Sequence, residues 1–212
     1  MNKEQLAHPE LAAVQIDEDS ADLSRSDVLL KGALAVGAIY GTAMVGPYVR
    51  RALAASGGSD VDILNFALTL EYLEAKFYAE AKMRAKPSGE LKALVDLIAS
   101  DEQQHVEALA ATIKKLGGKP VMEPKFDFPY SNTAGFLKLA QTFEDTGVSA
   151  YNGAGPMIKS KEVLAAAGGI VQVEARHAAA IRLQTGAEPA PVAFDPPLDE
   201  KQVLKAVEPF LA

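Results

Sequence analysis

Two short words in this chain are built to gather a metal ion: Glu102-Gln-Gln-His105 and Glu174-Ala-Arg-His177. Residues three apart on a helix share a face, so a carboxylate and an imidazole at that spacing can meet at one cation. The chain has 3 histidines, and with 16 glutamates in 212 residues chance puts Glu three places before a given His about 8% of the time. Two of the three histidines carry the word, which is beyond accident. The words also sit inside a repeat. Glu71 and Glu144 lie 73 residues apart, as do Tyr78 and Tyr151, while Glu102–Glu174 and His105–His177 are each 72 apart. Each half therefore reads Glu, then Tyr seven later, then Glu-x-x-His. Internal symmetry of this kind builds a site shared between two halves.

Four helical segments must position these residues. The first starts at Ser59 or Asp60 and ends near Pro87-Ser88-Gly89, with an inward stripe of Ile63, Ala67, Leu70, Glu71, Glu74, Phe77, Tyr78 and Ala81. The second runs from about Gly89 to Gly117-Gly118, with Leu91, Val95, Ile98, Glu102, His105, Leu109 and Leu116 inward. The third follows Ser131-Asn132-Thr133 and stops around Gly153–Pro156, its stripe being Leu137, Ala140, Glu144, Gly147 and Tyr151. The fourth follows Ser160 and ends before Gly186, carrying Val163, Ala167, Ile170, Glu174, His177, Ile181 and Gln184, with a bend expected at Gly168-Gly169. Short links make segments one and two, and three and four, antiparallel neighbours. The link from Gly117 to Thr133 is long and carries Pro120, Pro124 and Pro129. The expected fold is all-α: a four-helix bundle of two antiparallel hairpins joined by a long crossover. The bundle occupies residues 59–186, and a proline-rich tail, 187–212, holds a short helix from Asp199 to about Glu208.

Glu71, Glu102, Glu144 and Glu174 thus fall where the apolar rhythm points to the interior. Burying an unpaired ion costs several kcal/mol, against a whole-domain stability of about 5–15 kcal/mol. Lys and Arg lie mostly off these stripes, so the counter-charge must come from metal cations; the alternative is a buried polar cluster without metal. Oxygen and imidazole donors suit iron or manganese, and with no cysteine in the chain nothing selects soft metals. The absence of Cys also excludes disulfides and thiol nucleophiles. A net charge of −7 and the lack of a basic stripe argue against nucleic acid as a partner.

The words Asp62-Ile-Leu-Asn-Phe-Ala-Leu-Thr-Leu-Glu-Tyr-Leu-Glu-Ala-Lys-Phe-Tyr78, Asp101-Glu-Gln-Gln-His105, Phe143-Glu-Asp-Thr-Gly147 and Val173-Glu-Ala-Arg-His177 carry a resemblance over about residues 59–210. The chain resembles the ferritin-like di-iron carboxylate superfamily, and more closely the bacterial ferritin-like domain family related to desiccation-associated proteins. The resemblance implies a ferritin-like bundle with two iron ions, or manganese in their place. It implies Glu71 and Glu144 as terminal ligands, Glu102 and Glu174 as bridges, and His105 and His177 as one ligand each. Glu74 would be a seventh ligand, a group behind the ligands, or a plain surface residue. Asp101 and Asp145 flank ligands and are candidates to hold the histidines by their outer nitrogens. Tyr78 and Tyr151 are candidate redox residues or core aromatics with a bonded hydroxyl.

Upstream, residues 1–27 form a polar, acidic extension that includes His8, to which no role is assigned. Residues 28–56 are hydrophobic, with no charge from Gly32 to Val49. This stretch resembles a twin-arginine export signal, with Ser26 where the second arginine would stand and Ala52-x-Ala54 as a cleavage site. Read instead as a retained anchor, its eighteen apolar residues reach about 27 Å as a helix, enough to span a hydrocarbon core. An ordinary buried helix is the third reading. Signal and anchor both imply the cell envelope, with membrane contact through residues 28–50 and a homo-oligomer or membrane complex as candidate assemblies.

The expected function is an oxidase, ferroxidase or peroxide-removing centre with dioxygen or peroxide as the small-molecule partner. The alternatives are a non-catalytic metal-binding or structural subunit protecting against oxidative or desiccation stress, and a dimanganese catalase-like enzyme.

Overall fold

The computed structural model describes residues 59–212. The polar extension with His8 and the hydrophobic segment 28–56 lie outside the described residues. Among those residues every regular element is helical, apart from one isolated antiparallel bridge between Phe126 and Leu211. The helices are α1 (Asp60–Arg84), α2 (Gly89–Lys115), α3 (Thr133–Ala154), α4 (Lys161–Thr185) and a short α5 (Glu200–Val207). No helix among them is long and apolar enough to cross a membrane.

Local chemistry fixes the ends. At the start of α1 the Asp62 carboxylate accepts from the Ser59 amide at 2.8 Å and from its hydroxyl at 2.9 Å. Asn132 accepts from the Gly135 amide at 2.8 Å to open α3, and Ser160 accepts from the Val163 amide to open α4. Such caps satisfy amides that have no partner inside the helix. Gly186 ends α4 with φ +73°, and the Ala187 amide turns back to the Arg182 carbonyl at 2.9 Å. Glycine reaches that left-handed conformation without a steric penalty. The helix α4 runs without a break through Gly168-Gly169.

Packing follows the connections. α1 lies along α2 and α3 along α4, and the hairpins meet through α1–α3 and α2–α4. The crossover leaves beside the start of α1, where a Cβ on Gly118 would come within 2.5 Å of Val61. Asn65 ties it down there, accepting from the Val121 amide at 2.8 Å and donating to the Lys119 carbonyl at 3.2 Å. It then travels the length of the bundle, so that the Thr133 hydroxyl donates to the Ala85 carbonyl at 2.9 Å just past the end of α1. The tail is held by the crossover and by α3: Asp127 and Ala212 amides bond to Phe210 and Lys125 carbonyls, and the Leu198 amide to the Ser149 carbonyl, all at 2.9 Å.

Two apolar clusters fill the interior. One surrounds Phe77, whose ring meets Phe128, Phe136 and Phe143 at centroid distances of 5.2, 5.1 and 4.9 Å, and it takes in Val203 and Phe210 of the tail. The other gathers Leu64, Leu68, Leu109, Ile113, Val163 and Ile170. Along each of the four long helices the inward carboxylate falls between the two clusters. The sequence-based stripes hold except at their ends: Leu116 caps α2 and is exposed while Ile113 is buried in its stead, and Gln184 is exposed.

Candidate metal centre

Glu71, Glu102, Glu144 and Glu174 have no exposed surface, and His105 and His177 are buried with them. They converge from α1, α2, α3 and α4 into two overlapping groups: Glu71, Glu102, His105 and Glu174, and Glu102, Glu144, Glu174 and His177, with donor atoms within 4.8 Å of one another in each. The overlap is the central fact. Glu102 places Oε2 at 3.2 Å from Nδ1 of His105 and Oε1 at 2.9 Å from Nδ1 of His177. Glu174 does the same, with Oε1 at 2.9 Å from His105 and Oε2 at 3.8 Å from His177. Glu71 Oε2 stands 3.3 Å from His105, and Glu144 Oε2 stands 3.7 Å from His177.

Several of these approaches are close without being hydrogen bonds. Glu71 Oε2, Glu102 Oε1, Glu144 Oε2, both oxygens of Glu174 and Nδ1 of His177 are buried atoms with no hydrogen-bond partner. The 2.9 Å between Glu102 Oε1 and His177 Nδ1 is therefore proximity without hydrogen-bond alignment. Orphaned buried polar atoms are rare and costly. A set of them facing a common point is what donors aimed at a cation leave when seen alone, so the residues fit metal binding.

Behind the inner atoms lies a crossed support. Tyr78 of α1 donates its hydroxyl to Glu144 Oε1 of α3, and Tyr151 of α3 donates to Glu71 Oε1 of α1. Each half of the repeat holds the terminal carboxylate of the other. Both tyrosines have their ionisation pushed well up, by burial first and by the carboxylates next, so they remain phenols able to donate. Asp101 Oδ2 lies 3.2 Å from His177 Nε2 and orients that ring. The other flanking acid, Asp145, holds no histidine; it pairs with Arg182 of α4.

Glu74 is buried, which removes the surface reading, and it belongs to neither group of four. Its counterpart in the repeat, 73 residues on, is Gly147. A Cβ on Gly147 would sit 3.1 Å from Glu74 Oε1 and 3.8 Å from Glu174 Oε2, so Glu74 occupies room that the glycine leaves beside the centre. The signal was in the sequence as the one stripe position where the repeat pairs a charge with no side chain.

The electrostatics reflect the crowding. Burial pushes Glu71, Glu74 and Glu144 well above the usual carboxylate range, and the surrounding carboxylates push further. For Glu102 burial acts in the same sense, but the His105 and His177 rings outweigh it and hold the group at about 2. Burial disfavours protonation of the histidines, yet the carboxylates around them raise His105 to about 12 and His177 to about 11. Without cations, protons take their place. A shallow cleft lined by Leu70, Leu73, Glu74, Phe143, Gly147 and Val207 lies against this side of the centre.

A family model described as the ferritin-like domain matches residues 59–187. No curated protein matches the chain.

Proposed function

Because the chain belongs to the ferritin-like domain family, we propose that it holds two redox-active metal ions, iron with manganese as the alternative, and acts on dioxygen or peroxide at the cell envelope. One ion would be held by Glu71, Glu102, Glu174 and His105, the other by Glu144, Glu102, Glu174 and His177. The observation that carries this reading is the sharing of Glu102 and Glu174, each offering one oxygen toward each histidine. When bound, such a pair supplies two-electron chemistry, as oxidation of Fe(II) or removal of peroxide. The protein's own part is positioning. Tyr78 and Tyr151 occupy the outer oxygens of Glu144 and Glu71, which leaves the inner oxygens facing the centre. Asp101 takes the outer N–H of His177, which leaves Nδ1 with its lone pair inward.

The test is metal analysis of protein purified without added metal, followed by anaerobic Fe(II) loading and exposure to oxygen or peroxide. Two ions per chain and consumption of the oxidant are expected. Fewer than one ion per chain at saturation would overturn the reading.

The closure of the centre favours a second reading, metal binding without turnover in a protective or structural role. All six groups are buried, and the cleft beside Glu74 and Gly147 is shallow. Metal that raises the melting temperature while neither oxygen nor peroxide is consumed would decide for it. Oxygen release from peroxide by the Mn(II)-loaded protein would instead mark the catalase-like alternative.

A further inference from the structure

One end of the bundle combines exposed apolar side chains with cations that have no carboxylate partner. The start of α1, the end of α2 and the start of α4 meet there: Asp60 accepts from the Lys159 and Ser160 amides, both at 2.8 Å, and Gly118 packs on Val61. Around that junction Leu116, Met122, Met157 and Leu164 are exposed, Met122 by 71%. Lys114, Lys119 and Lys161 stand exposed among them and form no ion pair among the described residues. The lysines share this end with carboxylates: Asp60 and Asp62 serve the helix starts, Glu162 accepts from the Ser160 hydroxyl at 2.8 Å, and Glu123 is exposed beside Met122.

The opposite end also shows apolar groups, notably Met83 and Leu183. Several of its cations pair within the fold, Lys82 and Lys92 with Asp96, Arg84 with Glu80 and Arg182 with Asp145. Lys86 and Lys138 stand exposed there without an ion pair among the described residues, so side-chain chemistry alone does not choose between the ends.

Chain connectivity separates the ends. The uncharged run Gly32–Val49 is followed by Arg50-Arg51 and reaches Asp60 through ten residues, 50–59, rich in Gly, Ser and Ala. Ten residues reach at most about 36 Å even when fully extended. α1, at 25 residues, is about 37 Å long. A bundle tethered to a bilayer by the apolar run therefore presents the α1-start end to it; the far end would arrive only with the link stretched along the whole bundle.

We propose that this end is a docking face for an anionic lipid bilayer, with Leu116, Met122, Met157 and Leu164 entering the interface and Lys114, Lys119 and Lys161 meeting headgroups. The proposal rests on the retained-anchor reading of residues 32–49 and not on the metal chemistry.

The chain has no cysteine, so single cysteines introduced for labelling are unique. Full-length protein carrying Met122→Cys, Met157→Cys, Met83→Cys or Leu183→Cys, each labelled with an environment-sensitive fluorophore, is reconstituted into vesicles of phosphatidylcholine and phosphatidylglycerol at three to one. Labels at 122 and 157 are expected to be quenched several-fold more by nitroxide-bearing lipids than labels at 83 and 183, with the difference reduced in phosphatidylcholine alone. Equal quenching at both ends, or stronger quenching at 83 and 183, overturns the proposal. So does shielding of 122 and 157 from aqueous iodide without lipid quenching, which would mean that a second copy covers the face. A full chain that fails to associate with vesicles removes the anchor reading itself, while metal content measured on the same samples reports separately on the metal centre.

Discussion

A carboxylate in this interior is defined by which of its oxygens is already engaged. Tyr78 and Tyr151 each take one oxygen of a terminal glutamate and leave the other for the centre. Tyr78→Phe and Tyr151→Phe should therefore keep the fold but weaken binding of Co(II) or Fe(II) about 10–100-fold in an anaerobic titration, as expected when a group behind a ligand is lost. Unchanged affinity in both variants would show that the hydroxyls only fill space. Protonation gives a second prediction. Glu71, Glu144, His105 and His177 all have folded-state values raised above the ordinary ones. Groups shifted upward contribute stability that is complete below their unfolded pKa, about 4.5 for Glu and 6.5 for His, and is lost as pH climbs toward the folded value. Glu102 is shifted downward, so its contribution is instead present above pH 4.5 and lost only as pH falls toward about 2. The metal-free protein should then melt at progressively lower temperature as pH rises from about 5 to 9. Metal loading should flatten or reverse that trend, because deprotonated ligands bind cations best. Thermal scans across pH with and without Mn(II) make the comparison.

Between residue and fold, the helices show where small side chains matter and where they are spare. A Cβ on Gly153 would lie 1.9 Å from the Leu198 carbonyl oxygen, where the tail crosses α3. Gly153→Ala should cost about 1–3 kcal/mol by forcing that crossing apart, visible as a lower denaturation midpoint. Gly168 and Gly169 are the reverse case, with nothing within 4 Å of an added Cβ. Each substitution to Ala there should stabilise the protein by up to about 1 kcal/mol. These elements were legible in the sequence to the extent that periodicity alone determines them. The caps at Ser59, Asn132 and Ser160, the stripes through Glu71, Glu102, Glu144 and Glu174, and both Glu-x-x-His words are written locally. The burial of α1 on all sides between Ile63 and Glu74 was not, since Phe66, Leu68 and Leu73 are covered by residues distant in the chain. Asp145 misled for the same reason: only the packed structure brings Arg182 to it. Asp101 reaches His177 from the neighbouring helix, an approach that spacing along one helix does not encode.

For the whole molecule, the centre joins four helices that otherwise touch mainly as two pairs. A ligand bound only by the folded state adds about 2.7 kcal/mol at a hundredfold excess over its dissociation constant. For a chain of this size that is a rise of roughly 5–10 °C in melting temperature. Chelation should remove it, and Glu102→Gln combined with Glu174→Gln should abolish the difference between loaded and chelated samples. Persistence of the full metal-dependent rise in that double variant would place the cations elsewhere.

The exchange of tyrosine hydroxyls between the hairpins has a consequence for how the protein can change. Neither half is self-sufficient at its own carboxylate, since the residue that aims Glu71 is inherited with the other hairpin, and likewise for Glu144. A substitution in one hairpin is therefore judged against the other, and the two halves are constrained to change together. Swapping in a hairpin from a relative that lacks the tyrosine would disarm the recipient's carboxylate rather than its own.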